Sequence, residues 1–140
     1  MSAASPHRAS VAIRVNGRLL PVDADLSSSA IFPIYSITKT LTAICVLRLC
    51  ERGEIAVDAP ASRWLPDVDL PQAITVEHLL RHTSGLGDYG YLPEYHAAVR
   101  AHPDQPWTRQ QYLDAVLPRG PLFPPGARFS YSNVGYMEKS

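Results

Sequence analysis

Lysine is almost missing from this chain. Of 13 lysine and arginine residues, 11 are arginine, and only Lys39 and Lys139 are lysine. Cysteine is nearly as scarce. Cys45 and Cys50 are the whole supply, so no disulfide framework holds the fold. Five positions apart on one helix, the two thiols stand about 140° apart and cannot pair without distorting it, so reduced, packed thiols are expected. There is no charge run and no basic patch, and formal net charge is zero. That removes the electrostatic footprint of a nucleic-acid or anionic-membrane partner. No apolar run approaches the roughly 18 residues of a spanning helix. The opening MSAASPHRAS has no apolar segment of the kind a secretory leader carries, and a cytoplasmic location is expected on that ground.

What is present amounts to one domain's worth of chain: 140 residues, 46% of them hydrophobic, with no internal repeat and no low-complexity tract. VAIRV (11–15), Asn16-Gly17 and RLLPV (18–22) read as two short strands about a tight turn, because both turn residues tolerate positive φ. From Ser36 to about Arg52 the pattern is helical, with Gly53 as the stop. Its apolar residues spread around most of the circumference, which predicts a helix buried on most sides. A proline-punctuated connection, DAPASRWLPDVDLPQ, carries at most one helical turn. Thr75 caps a short helix over VEHLLRH, and residues 86–107 read as loop with a turn of helix near EYHAAVR. Thr108 to Gln111 has capping-box form and opens a helix that runs to Pro118.

Lys39 sits inside an apolar segment, IFPIYSITKT, three residues after Ser36. Ser36 alone reads as a helix N-cap. Residues three apart on a helix share a face, however, so the amine can reach the hydroxyl. Desolvation can strip a lysine of its proton, whereas arginine stays charged. A neutral amine beside a serine hydroxyl is an activated nucleophile, and the positive end of a helix suits a developing oxyanion. A second segment, RFSYSNVGY (128–136), offers Tyr131 and Asn133 two apart in a loop that opens a helix. A tyrosine can relay a proton, and an asparagine can donate and accept at once. Read singly, Tyr131 is a core aromatic and Asn133 a cap.

Other motifs are weaker. His78 and His82 have metal-ligand spacing, but Glu77 precedes the first histidine, so HExxH is absent and packing is the better reading. Ser84 lies in H-T-S-G-L, without the first glycine of a nucleophile elbow. Trp64, Trp107 and the seven tyrosines suit core and cleft lining rather than base stacking.

Taken in order, FPIYSITKT with its S-x-x-K, ITVEHLLRHTSGL with its LLxHTSG, and PGARFSYSNVGY with its Y-x-N resemble the serine β-lactamase and penicillin-binding protein superfamily. The resemblance is closest to its class C β-lactamase-related branch, with its esterases and D-amino-acid peptidases. ERGEIAVDAPASRWLP also matches the branch, with Val57 in a leucine's place. The resemblance covers roughly residues 10 to 137 and implies an α+β fold in which an N-terminal hairpin accompanies a mostly helical body. It implies Ser36 as nucleophile, Lys39 as its general base, Tyr131 as proton relay and Asn133 as substrate ligand. His82 to Gly85 would form a structural turn near the site. It implies a small-molecule or peptide acyl substrate and no metal or organic cofactor. The family's third motif, on a later strand, has no counterpart before Ser140. The 140 residues are therefore expected to be an incomplete amino-terminal part of one domain, with 1–10 unstructured, impaired turnover, and Glu138-Lys139-Ser140 foreign to the family pattern.

Overall fold

The structure is a computed structural model that describes residues 13–20, 31 and 33–137. The expectations for residues 1–10 and for 138–140 fall outside those residues. The chain forms two compact units, Met1–Ser36 and Ile37–Ser140.

In the first unit, β1 (Ile13–Val15) pairs antiparallel with β2 (Arg18–Leu20), Ile13 opposite Leu20 and Val15 opposite Arg18. Asn16 and Gly17 join them with φ of 49° and 79°. Positive φ at both central residues gives a turn whose twist matches that of the strands, so the dipeptide fixes the register. Expected strand residues 11–12 and 21–22 lie outside the described residues. The chain then passes through a 3-10 turn, Tyr35–Ile37, in which Tyr35 has a φ of 44°.

The second unit opens with α1 (Thr38–Glu51), which Gly53 ends in the left-handed region as expected. The expectation that α1 is buried on most sides is corrected. None of its residues is buried, and Leu41, Ile44 and Leu47 are each at least half exposed. The reason lies in the same spread of apolar side chains. Covering every side of a helix takes a neighbour on every side, and the described residues supply them over part of its circumference: Thr42, Cys45, Val46 and Leu49 line an apolar cavity of about 320 Å³, and Lys39 meets Asn133. Cys45 and Cys50 are free thiols, Cys45 exposed rather than packed.

The core gathers instead around Ala61, Ile74, Leu79, Leu113, Val116 and Val134. Ala61 begins a 3-10 turn, Ala61–Arg63, and its N–H donates to the Ile74 carbonyl at 2.8 Å, tying the proline-rich connection to the next helix. That helix, α2 (Val76–Leu80), is opened by Thr75. The Thr75 hydroxyl accepts from His78 N–H, and His78 Nδ1 accepts from Thr75 N–H, both at 3.2 Å. A histidine thus completes the reciprocal cap usually made by Glu or Gln. α2 ends before His82 because His82 itself adopts a φ of 55°, which no helix continues through.

The turn expected near EYHAAVR is a full helix, α3 (Pro93–Ala101), with Pro93 in its first turn, Glu94 beside the positive end and Arg100 in the last turn. α4 (Arg109–Val116) starts at the Thr108–Gln111 capping box, as its sequence predicts. Between α3 and α4 the rings of Tyr89, Tyr95, Trp107 and Tyr112 pack together, Tyr89 and Tyr112 at 4.2 Å between centroids. Burial first, then the neighbouring Tyr112 and Asp88, push the Tyr89 hydroxyl up to about 12, so it stays protonated at neutral pH. The hairpin and mostly helical body are the α+β arrangement expected. Among the described residues, no helix is long and apolar enough to cross a membrane.

Candidate active site

Lys39 occupies the first turn of α1 and is half-buried. Its Nζ donates to Asn133 Oδ1 at 2.9 Å, across 94 residues of sequence. The Tyr131 hydroxyl donates to the same oxygen at 3.3 Å. Nζ also stands 5.2 Å from the Tyr131 ring centre and 5.8 Å from that of Tyr136, within reach of a cation–π attraction. Two of the four residues singled out in the sequence therefore converge on an oxygen of a third. The fourth, Ser36, lies in the exposed 3-10 turn directly before α1. The N-cap position of α1 belongs to Ile37, which makes no side-chain cap, so Ser36 is not the cap of this helix.

The Y-x-N loop is held from behind. Ser132 is almost wholly buried, and its hydroxyl donates to the Gly87 carbonyl at 2.7 Å. Asn133 does not cap the 3-10 turn Val134–Tyr136 that follows it, and Tyr131 is 37% exposed, so neither residue takes the ordinary role it has when read singly. Both polar ends of the Asn133 side chain are engaged: Oδ1 by Lys39 and Tyr131, Nδ2 by Asp88 Oδ1 at 3.3 Å. The Asn133 backbone N–H donates to Asp88 Oδ2.

His82 anchors the same loop from α2's end. Its ring stacks on Tyr131 at 4.5 Å and lies 5.1 Å from Tyr136, while its Nδ1 accepts from Ser132 N–H at 3.2 Å. The backbone carbonyl of His82 accepts from Ser130 N–H at 2.8 Å. Burial first, and then the charge on Lys39, pull the imidazole below its ordinary 6.5. A folded-state value below the unfolded one means the unfolded chain takes up the proton first as pH falls. Stability that is full at pH 7.5 is therefore lost progressively as pH drops through 6.5 toward the folded value. In urea titrations between pH 7.5 and 5.5, the midpoint should fall more for the wild type than for His82→Asn, which keeps the left-handed backbone without the titrating ring. Parallel curves for the two proteins would refute that role.

Asp88 is the site residue that the sequence reading missed. It is buried, at 8% exposed, in a stretch read as loop. Its one local signal is a glycine two positions on, since aspartate before such a turn bonds the backbone two residues later, here Gly90 N–H at 2.8 Å.

The Lys39 amine and the Tyr131 hydroxyl are thus joined through one carboxamide oxygen. The sequence pattern of the β-lactamase family (described as Beta-lactamase) matches residues 6–137. Esterase EstB from Burkholderia gladioli is 46% identical over 68 residues, which are 44% of this chain and 17% of the esterase. Penicillin-binding protein 4* from Bacillus subtilis is 32% identical over 114 residues, 80% of this chain and 24% of that protein. In three dimensions, a D-stereospecific amidohydrolase from Streptomyces sp. superposes with a TM-score of 0.66 at 35% identity, over 75% of this chain and 34% of that one. The D-amino acid amidase from Ochrobactrum anthropi SV3 complexed with D-phenylalanine follows at 0.61 and 31%, over 79% and 30%. The chain belongs to the serine β-lactamase and penicillin-binding protein superfamily. It spans a quarter or less of the two curated relatives, 24% and 17%.

Proposed function

We propose that the protein is a serine hydrolase acting on ester, amide or β-lactam bonds through an acyl-Ser36 intermediate. The observation that carries this reading is the convergence of Lys39 Nζ and Tyr131 OH on Asn133 Oδ1. Ser36 precedes Lys39 by three residues, the S-x-x-K spacing of the family. In the first step Ser36 Oγ bonds to the substrate carbonyl carbon while its proton passes to the amine of Lys39. The tetrahedral adduct collapses by breaking the bond to the leaving group, which takes a proton from the Tyr131 hydroxyl. Lys39, protonated in the first step, then returns that proton to Tyr131. Water then adds to the acyl carbon, giving up a proton to the same pair, and the adduct collapses by breaking the bond to Ser36 Oγ, which takes that proton back. Both polar ends of Asn133 are occupied within the chain, so its contact with substrate would exchange one of those bonds.

Among the three substrate classes the reading favours esters and amides over β-lactams, supported by similarity to an esterase and to D-specific amidohydrolases. The test is incubation of the folded chain with p-nitrophenyl acetate, D-phenylalanine p-nitroanilide and a fluorescent penicillin, followed by peptide mass analysis. Acyl mass on the peptide containing Ser36, absent from Ser36→Ala, is expected. Nitrophenolate release beyond one equivalent marks a hydrolase, and release that stops at one equivalent marks a protein that is only acylated. A folded chain that takes no acyl group from any of the three overturns the proposal.

A further inference from the structure

A carboxamide is nearly symmetric in shape and opposite in polarity at its two ends. A half-turn of the Asn133 side chain would exchange oxygen for NH₂ with little change in packing. Toward Lys39 and Tyr131 that exchange matters, because both present donors: Nζ at 2.9 Å and the hydroxyl at 3.3 Å. A turned amide would set its own donors against the N–H and O–H donors now directed at its oxygen.

Asp88 stands on the other side of that amide. An ionised carboxylate accepts only, and this one accepts three N–H groups. Oδ1 takes Asn133 Nδ2 at 3.3 Å and Gly90 N–H at 2.8 Å, and Oδ2 takes the Asn133 backbone N–H. The turn after Asp88 is shaped around the acid. A Cβ on Gly90 would lie only 2.8 Å from Asp88 Oδ1, so a side chain there would displace the carboxylate. We infer that Asp88 is a positioning residue, fixing the polarity of the Asn133 carboxamide so that its oxygen, and not its nitrogen, faces Lys39 and Tyr131. The consequence for catalysis rests on the serine-hydrolase reading above; the orientation itself does not.

Asparagine at position 88 cannot replace the acid. If its oxygen takes the place of Oδ1, its NH₂ meets the Asn133 backbone N–H. If its oxygen takes the place of Oδ2, its NH₂ meets Gly90 N–H and Asn133 Nδ2, and turning Asn133 over relieves the second clash by presenting NH₂ to Lys39. Exchanging the two residues restores the polarity. In Asp88→Asn/Asn133→Asp, the carboxylate at 133 accepts from Lys39, from Tyr131 and from the new amide, and only Gly90 N–H loses its acceptor.

The experiment uses the 140-residue chain with asparagine labelled in nitrogen-15. In the wild type the Asn133 side-chain hydrogens and Gly90 N–H converge on one oxygen and should show a nuclear Overhauser contact. Asp88→Asn should lose that contact, and Ser36 acylation by p-nitrophenyl acetate should slow about 10- to 100-fold, the scale of a misplaced catalytic group. The exchanged pair should recover most of the rate. A contact that persists in Asp88→Asn overturns the inference, as does a lost contact with an undiminished rate. If Asp88→Asn does not fold, refolding and acylation restored by adding Asn133→Asp support it, and a chain still unfolded overturns it. A wild type that shows the contact but never acylates defeats the hydrolase reading and leaves the orientation supported.

Discussion

Lys39→Arg should keep the fold and slow acylation of Ser36 by about 10²- to 10⁴-fold, the usual contribution of a positioned general base. The substitution is sharp because so much survives it. Arginine retains the positive charge, donates to Asn133 Oδ1 and stacks on the Tyr131 and Tyr136 rings that now lie within 6 Å of the amine at 5.2 and 5.8 Å. What it cannot do is surrender a proton at any ordinary pH. Burst kinetics with p-nitrophenyl acetate, set beside circular dichroism and the urea midpoint, separate the two contributions. An arginine protein that acylates at the wild-type rate would show that position 39 supplies charge alone. That result would also remove the reason for a lone internal lysine in an arginine-using chain.

The second large effect concerns Gly85. It has a φ of 79°, and a Cβ built on it would lie 2.2 Å from the Phe123 carbonyl oxygen and 3.3 Å from Pro121 Cβ. The obstacle is backbone, so no rotamer change relieves it. The Gly85 carbonyl also accepts from Leu122 N–H at 2.8 Å, which pins the two segments at that separation. Gly85→Ala should cost roughly 2 to 5 kcal/mol, about 1–2 for the left-handed backbone and about 1–3 for the forced displacement. Natural domains hold only about 5–15 kcal/mol in total, so the change should appear as a large fall in the denaturation midpoint. An alanine protein within about 1 kcal/mol of wild type would mean that the 121–123 segment yields freely, against the close approach described here. The same segment leads into Tyr131 and Asn133, so the glycine's role reaches the site through the path of the chain.

The parts of the molecule legible in the sequence were those governed by local rules. Asn16-Gly17 specifies its turn, Thr75 and Thr108 specify helix starts, and Gly53 specifies a stop, each through backbone angles or a hydrogen bond within three residues. Lys39, Tyr131 and Asn133 stood out for a different reason: residues of those types in those motifs suggest a chemistry before any fold is known, and the structure joins the three. Asp88 was not legible, because its meaning lies in a contact 45 residues away with the Asn133 backbone and side chain. The exposure of α1 was misjudged for a related reason. Apolar periodicity reports what a helix is able to bury, while burial depends on which neighbours are there to cover it. α3 is longer than the single turn expected near EYHAAVR, and Pro93 is well placed to start it.

The exposure of α1 bears on when the site exists as well as where. Elements with little buried apolar surface open locally at a fraction of the free energy that unfolds the whole domain. α1 has no buried residue, and Lys39, in its first turn, reaches across to Asn133 Oδ1 at 2.9 Å. Each local opening of α1 would break that bond, while the loop carrying Tyr131 and Asn133 stayed pinned by His82, Ser132 and Asp88. The Lys39–Asn133 contact then becomes an occupancy, set by the opening equilibrium of one helix. Anything that binds the closed form of that helix raises it by mass action, in proportion to ligand concentration over its dissociation constant.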